Sequence, residues 1–174
     1  AASGRVHRQL LDHLLAEPYY QLGPPKSTGK ELFHAGYLER ALEAYPGLSD
    51  ADVIATLTAL TARTVAAEVR RHDVDLLVVS GGGCANPTLM AMLRDHLAGV
   101  RVLTSADLGA PPDIKEAIAF ALIGWLTVHG LAANVPSCTG AAAPRILGAI
   151  LPGAAPLRLP APLSAAPTAL RLHA

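Results

Sequence analysis

Residues 74–87, VDLLVVSGGGCANP, place an apolar run, a glycine turn and a helix start in immediate succession. The apolar run covers residues 76–79, and three glycines follow at Gly81–Gly83. Asn86 and Pro87 then have the residue types that favour the cap and the first turn of a helix. Glycines allow backbone to approach a ligand closely, so this stretch predicts both the fold and a candidate site.

The residues that follow complete a strand–helix–strand unit. Apolar residues at helical spacing predict an inward face, and Gly99 is expected to end the helix. That inward face consists of Leu89, Met90, Leu93 and Leu97. A second short strand is predicted at 100–103, parallel to the first. Because the run at 76–79 lacks polar alternation, it predicts a strand buried on both faces of a parallel sheet.

Two helices are predicted before this unit. Ser3 is the expected cap of the first, in which Val6, Leu10, Leu11, Leu14 and Leu15 have helical spacing. Ser49 is the expected cap of the second, which runs to about Arg71. The predicted apolar face of this second helix consists of Val53, Leu57, Leu60, Thr64 and Val65.

Residues 26–31, KSTGKE, follow a break at Pro24-Pro25 and permit two interpretations. They resemble half of a phosphate-binding loop, although the upstream glycine of that motif is absent. They are also typical of a helix start, with Ser27 or Thr28 as the cap and Glu31 completing a capping box. The sequence leaves both alternatives open.

A long apolar helix is predicted after the second strand, from about Asp113 to His129. Asp113 and Glu116 have capping-box spacing, and the apolar centre predicts a buried helix. A loop is expected at 130–139, then a short helix from Pro144 to Leu151. The Pro/Ala-rich residues beyond 153 predict a loosely held tail, with a possible edge strand at 157–159.

Composition narrows the class of protein. The 174 residues carry 14 basic and 14 acidic side chains, and this balance argues against a nucleic-acid or acidic-membrane partner. Cys84 and Cys138 lack metal-ligand spacing, so we expect free thiols in a reducing cytoplasm. The first ten residues lack an apolar signal core, and the apolar run at 117–128 is too short to span a bilayer.

Two strands are too few for the predicted helices. A two-stranded sheet is not stable alone, and it offers little surface on which to bury three long helices. The sequence therefore predicts an α/β chain, rich in helix, whose partial parallel sheet belongs to a larger domain.

Four ordered stretches together carry a family resemblance. These stretches are PPKSTGKELF at 24–33, LVVSGGGCANPTLM at 77–90, PDIKEAIAFA at 112–121 and NVPSCTGA at 134–141. With them the chain resembles the C-terminal part of the anhydro-N-acetylmuramic acid kinase family, over nearly its whole length up to about Gly153.

The resemblance implies a fold and a reaction. The expected fold is the C-terminal, nucleotide-binding lobe of an actin-like ATPase, the ribonuclease H-like sugar-kinase fold. Residues 1–153 are expected to form this lobe, incompletely, and residues 154–174 the tail. The implied activity uses ATP and Mg²⁺ to phosphorylate 1,6-anhydro-N-acetylmuramic acid while water opens its anhydro ring. N-acetylmuramate 6-phosphate results, in cytoplasmic peptidoglycan recycling and amino-sugar catabolism.

The resemblance also assigns candidate residues by position. Nucleotide binding is expected at Gly81, Gly82, Gly83 and Asn86, with Lys26, Ser27 and Thr28 bordering the same ligand. Sugar binding is expected at Glu116, Ser137 and Thr139. Glu116 has a simpler alternative as the reciprocal half of a helix cap. Cys84-Ala85 departs from the family pattern, which often has a charged residue there, so the resemblance implies a backbone contact and no side-chain contact at these two positions.

The family's phosphate-binding loop and its catalytic aspartate, in an Asp-Thr-Gly-Pro-Gly-Asn motif, do not occur in these 174 residues. Phosphoryl transfer needs positioning and electrostatic stabilisation from both lobes. We therefore expect this chain alone to be inactive, with an N-terminal lobe missing. The family resemblance implies a homodimer. The alternative is a non-catalytic remnant that binds a nucleotide or a partner.

Overall fold

The computed structural model of the chain describes residues 1–23 and 26–171. The predicted break at Pro24-Pro25 lies outside the described residues. The chain forms two compact units, one ending at Thr104 and the other beginning at Ser105.

The first unit is an α/β unit and the second is helical. The first contains α1 (Arg8–Leu15), α2 (Ala35–Leu42), α3 (Asp50–Val69), β1 (Leu76–Val79), α4 (Pro87–His96) and β2 (Arg101–Thr104). The second contains α5 (Lys115–Val128) and α6 (Pro136–Thr139). Single 3-10 turns lie at Pro18–Gln21, Gly82–Ala85, Ser105–Leu108 and Pro112–Ile114.

Two helices have the cap residue that the sequence predicts, and a third does not. Ser49 Oγ accepts a hydrogen bond from Asp52 N at 3.2 Å, so the predicted cap of α3 is confirmed. The cap of α4 at Asn86 is also confirmed. Ser3 does not cap α1, because the helix begins five residues later and the ring Nδ1 of His7 accepts from Leu10 N.

Small residues form the packing face of α3. The predicted face of Val53, Leu57, Leu60, Thr64 and Val65 is confirmed in part. Leu60 is buried, and Leu57 and Val65 are half-buried and pack against the core, whereas Val53 and Thr64 are only half-buried. The buried side chains are Ala55, Thr56, Thr58, Ala59, Leu60, Ala62 and Ala66. Alanine lets α1 and α4 approach α3 closely, and the hydroxyls of Thr56 and Thr58 donate to carbonyls one turn back.

The two strands form a parallel pair, as predicted. Leu76 is paired with Arg101 and Val79 with Thr104 in an uninterrupted register. One face packs against α3 and α4, where Val102 is buried with Ala62 and Leu93. The prediction that β1 is buried on both faces is wrong, because Val78 on the other face is 39% exposed.

Helix α5 is largely exposed, although its sequence predicted burial. Leu126 is the single buried residue among its fourteen described residues, and Phe120 is 73% exposed. The predicted capping box is also wrong, since Asp113 lies in a 3-10 turn and α5 starts after Ile114 with no side-chain cap among the described atoms. An apolar helix without enough chain around it cannot bury all its sides. Within residues 1–23 and 26–171, no helix is both long enough and apolar enough to cross a membrane.

The end of the chain has little regular structure. Residues 136–139 form α6, so Ser137 and Thr139 lie on a short helix and not in the predicted loop. The helix predicted from Pro144 and the edge strand predicted at 157–159 are both wrong, because these residues are neither helix nor strand. The described tail residues, 154–171, are exposed, and Leu163 N donates to His129 O at 3.0 Å.

Candidate functional site

The glycine turn lies at the carboxyl end of β1. Gly82 begins a single 3-10 turn that leads directly to α4. Cys84 N donates to Gly81 O at 3.1 Å, and Asn86 N donates to Gly83 O at the same distance. Gly82 and Gly83 are exposed. The turn is therefore held by its own backbone and presents bare backbone to solvent.

Two of the three glycines have different roles in this turn. Gly81 has a φ of +91°, a conformation that strongly favours glycine. Gly82 has no positive φ, and a Cβ placed there meets no described heavy atom within 4 Å. The fold therefore requires glycine at Gly81. The space beside the Gly82 backbone is open, so a ligand could approach the backbone closely there.

Asn86 caps α4 directly after the turn. Its side-chain oxygen accepts hydrogen bonds from Thr88 N at 3.1 Å and Leu89 N at 3.2 Å. This oxygen is therefore occupied in capping, and the side-chain amide nitrogen remains as the group able to donate outward. The cap holds the amino end of a ten-residue helix behind the turn, where the helix dipole favours an anion.

Lys26 is held by a carboxylate. Its Nζ lies 2.6 Å from Glu68 Oε1, and its side chain is 15% exposed. Arg71 reaches both oxygens of the same carboxylate at 3.2 Å, and the Lys26 ammonium lies 5.2 Å from the centre of the Tyr19 ring. The hydrogen bond from Lys26, with the charge of Arg71, lowers the pKa of Glu68 below its ordinary value of 4.5. No local sequence pattern predicts this pairing, because the two partners lie 42 residues apart.

We expect Lys26→Met to lower the thermal unfolding midpoint at pH 7. Folding lowers the pKa of Glu68. The stabilisation that its carboxylate contributes is therefore fully present above the unfolded pKa of about 4.5 and is lost as pH falls through the folded pKa. The gap between wild type and variant should therefore narrow at about pH 3. Melts at both pH values check this, with Arg71→Met as the control expected to cost less, since Arg71 is more exposed and its bonds are longer. A gap that does not change with pH would contradict the ion-pair explanation.

A cavity of about 650 Å³ adjoins Lys26. Its wall includes Tyr20, Glu68, Arg71 and His96. Burial, reinforced by the neighbouring Tyr37, raises the pKa of Tyr20 to about 12, so this phenol stays protonated at neutral pH. The glycine turn is not in the lining of this cavity. Lys26 and the turn therefore do not share this cavity, although both are in the first unit.

Ser27 and Thr28 do not start a helix. Residues 26–29 lack regular structure, and α2 begins only at Ala35. Glu31 Oε1 accepts from Gly29 N at 2.6 Å, so its carboxylate closes a local turn and not a capping box. The helix-start interpretation of this stretch is wrong. Ser27 is exposed and Thr28 is half-buried.

The three candidate sugar-binding residues all lie in the second unit. Glu116 is exposed in the first turn of α5. Ser137 is exposed on α6, and the Thr139 hydroxyl donates to Val135 O at 3.0 Å. Asn134 fixes the chain before α6, since its side chain accepts from Arg145 N and donates to Ala143 O.

The described residues offer little for metal chemistry. Across residues 1–23 and 26–171, no group of three or more His, Cys, Asp or Glu side chains could hold a metal ion. Cys84 is a half-buried free thiol and Cys138 an exposed one.

The chain is an α/β protein in which a glycine turn joins the carboxyl end of a parallel strand to a helix. Proteins of this class bind their ligands at the carboxyl ends of the strands. The family model for anhydro-N-acetylmuramic acid kinase matches residues 1–153. The chain belongs to the anhydro-N-acetylmuramic acid kinase family.

Curated relatives agree with the family match and are much longer. An anhydro-N-acetylmuramic acid kinase of Rhodococcus erythropolis is 53% identical over 173 residues, which cover 99% of this chain and 44% of that protein. Those of Streptomyces avermitilis and Streptomyces coelicolor are 56% and 54% identical, and the matches cover 92% and 99% of this chain. These two matches cover 42% and 44% of the relatives. The chain thus spans less than half the length of the curated relatives it matches.

Proposed function

We propose that this chain is the second, C-terminal lobe of an anhydro-N-acetylmuramic acid kinase and supplies its nucleotide-facing turn. The observation that carries the proposal is the open backbone at Gly82, directly after a parallel strand and directly before a capped helix. Ligands of α/β proteins bind beyond the carboxyl ends of parallel strands, and helix amino ends favour phosphate. Residues 1–153 form the lobe in this proposal, and residues 154–174 are its tail.

The complete kinase, in this proposal, phosphorylates 1,6-anhydro-N-acetylmuramic acid from ATP while water opens the anhydro ring. The product is N-acetylmuramate 6-phosphate, an intermediate of cell-wall recycling. The exposed glycines fit ATP, because a side chain at Gly82 would fill the space that a phosphate needs. The described residues contain no group of three or more His, Cys, Asp or Glu side chains that could hold a metal ion, and we assign no Mg²⁺ ligand to this chain.

Lys26, Ser27 and Thr28 border the nucleotide in this proposal. Because Glu68 already binds the Lys26 ammonium at 2.6 Å, a phosphate contact requires Lys26 to exchange one anion for another. Ser27 is exposed and free to approach a ligand without rearrangement of the core.

Glu116, Ser137 and Thr139 serve the sugar in this proposal. An exposed carboxylate at the start of α5 can accept hydrogen bonds from sugar hydroxyls. The Thr139 hydroxyl donates to Val135 O at 3.0 Å and accepts from Ala141 N at 3.4 Å, so one lone pair of its oxygen remains for a ligand. Ser137 is exposed and can act as donor or acceptor.

We expect the 174-residue chain to show no kinase activity with ATP, Mg²⁺ and 1,6-anhydro-N-acetylmuramic acid. Its sequence lacks the family's phosphate-binding loop and catalytic aspartate motif. The measurement is mass-spectrometric detection of the sugar 6-phosphate, with a full-length kinase containing this segment as the positive control. Product that scales with the amount of pure 174-residue protein would contradict the proposal that catalysis requires both lobes. An inactive full-length protein would favour the alternative of a non-catalytic remnant.

A further inference from the structure

The cavity beside Lys26 is strongly basic, although the chain as a whole is neutral. Four of the 14 Lys and Arg side chains contribute to its wall, against one of the 14 Asp and Glu side chains among the described residues. The four are Lys26, Arg63, Arg70 and Arg71, and the carboxylate is that of Glu68. Since Glu68 already binds both Lys26 and Arg71, the wall has an excess of positive charge. We call this space the basic cavity.

Two arginines of the basic cavity can still donate hydrogen bonds to a ligand. Arg63 lies 3.6 Å from the nearest carboxylate oxygen of Asp12, and both side chains of this loose pair are exposed. Arg70 donates from one guanidinium nitrogen to the carbonyl oxygen of His96. This bond also offsets the partial negative charge at the carboxyl end of α4, which would otherwise disfavour an anion. A guanidinium has five N–H donors, so both arginines can bind carboxylate or phosphate oxygens.

The rest of the cavity wall is aromatic and apolar. Tyr19 and Tyr20 are half-buried there, and Tyr20 stacks on Phe33 with 5.7 Å between the ring centroids. Burial raises the pKa of Tyr20 to about 12, so its phenol remains a hydrogen-bond donor at neutral pH. Ala66 and Val69 of α3 add apolar surface. A ligand that fits this wall combines a negative charge with a ring or another apolar body.

The basic cavity and the glycine turn lie at opposite ends of α4. His96 lines the cavity and is the last residue of α4, whereas Gly82 lies in the turn that precedes its first residue, Pro87. A helix rises about 1.5 Å per residue, so the ten residues of α4 separate the two places by about 15 Å. The volume of about 650 Å³ falls within the range of small-molecule sites, about 300–1,000 Å³. The cavity is therefore large enough for a ligand of its own.

We propose that the basic cavity is a second ligand site, which binds a small organic anion made of a phosphate or carboxylate group and an apolar, ring-containing body. Arg63 and Arg70 bind the anionic group, and the Tyr19 ring with the apolar surface of α3 holds the body. This site goes beyond the proposed function. Of the residues used there, Lys26 also lines the cavity, so the test relies on the two arginines.

Calorimetric titration of phenyl phosphate into a full-length kinase containing this chain tests the proposal. A non-hydrolysable ATP analogue and the sugar substrate are both present at saturation, so that they occupy the sites of the proposed function. We expect phenyl phosphate to bind under these conditions, at least about tenfold more tightly than inorganic phosphate or phenol. Each of these two probes lacks one of the parts that the cavity recognises.

Arg63→Met should weaken phenyl phosphate binding about 10- to 100-fold, because it removes charge-assisted hydrogen bonds. The fold should tolerate this change, since Arg63 makes only a loose, exposed ion pair. Arg94→Met is the matched control, because Arg94 is exposed on α4 and is not in the cavity lining. Arg70→Lys is a second variant that keeps the charge and removes the fork of donors, and it should also weaken binding. Thermal melts show whether each variant is folded.

Four results would overturn the proposal. Phenyl phosphate that fails to bind would exclude the site, and binding abolished by the ATP analogue and the sugar would place the ligand in their sites. Equal losses in Arg63→Met and Arg94→Met would indicate a general electrostatic attraction. Inorganic phosphate that binds as tightly as phenyl phosphate would mean that the cavity attracts an adventitious ion only. Affinity for the ATP analogue is measured separately, so the nucleotide-binding proposal stands or fails on its own.

Discussion

Replacing Gly82 with valine in the full-length kinase is expected to weaken ATP binding at least about tenfold, which corresponds to about 1.4 kcal/mol. The fold itself should tolerate this change. Gly82 has no positive φ, and a Cβ there meets no described heavy atom within 4 Å. The valine side chain therefore occupies the space where we place the nucleotide. Calorimetric titration with a non-hydrolysable ATP analogue measures the effect.

Two other glycines provide controls for this variant. Gly153→Val makes the same substitution in open space outside the proposed site, and it should leave ATP affinity unchanged. Gly81→Ala introduces backbone strain at a φ of +91°, so it should reduce stability by about 1–3 kcal/mol. Unchanged nucleotide affinity in a well-folded Gly82→Val protein would mean that the turn is architectural.

In the full-length kinase, Glu116→Gln is expected to lower kcat/KM for the sugar about 10- to 100-fold. A hydrogen bond to a charged group contributes about 1.5–3 kcal/mol, and the amide removes the charge while keeping the shape. Nucleotide affinity should change little. Because α5 has no side-chain cap among the described atoms, the alternative role of Glu116 as half of a capping box loses its structural basis. Steady-state kinetics and thermal melts on the same preparation separate the two roles.

Asp113→Asn is the matched control for that experiment. Asp113 is an exposed carboxylate in the 3-10 turn just before α5, and we assign it no role. Its neutralisation should leave the kinetics unchanged. Equal losses in both variants would indicate a general electrostatic effect of this turn, and normal sugar kinetics in Glu116→Gln would defeat the sugar-binding role.

Local signals predicted the centre of the first unit well. The apolar run at 76–79 is β1 without a change of boundary, and Asn86-Pro87 starts α4 as expected. These predictions succeeded because strand, turn and cap depend on neighbouring residues. The packing face of α3 could be predicted from the sequence only in part. Alanine and threonine look neutral in a hydrophobicity pattern, but their small size is what lets two other helices approach.

Burial was the property that sequence patterns misjudged. The composition of α5 and β1 predicts coverage on all sides, yet Phe120 and Val78 are exposed. A hydrophobic pattern indicates that a segment favours burial, whereas the exposure of its side chains depends on which parts of the polypeptide surround it. The same reason explains why two strands appeared too few for the helices. These mismatches therefore identify surfaces that we expect a longer chain to cover.

The candidate site was predictable in part. The glycine triplet stands out from its neighbours in the sequence, but the pattern cannot distinguish Gly81, which the backbone needs, from Gly82, which leaves space open. The Lys26–Glu68 pair was invisible, since a contact across 42 residues has no local signature. The roles of Glu116, Ser137 and Thr139 come from family resemblance and remain predictions.

The exposed helix α5 carries a natural optical probe. Trp125 is the only tryptophan in these 174 residues, is 41% exposed and stacks on the His129 ring with 4.1 Å between centroids. Indole emission shifts to shorter wavelength when water leaves the ring, and contact with a histidine can quench it. The tryptophan emission of this chain, excited selectively over its four tyrosines, therefore reports on one end of α5 alone. Any element that covers that end can be followed in real time without an attached dye.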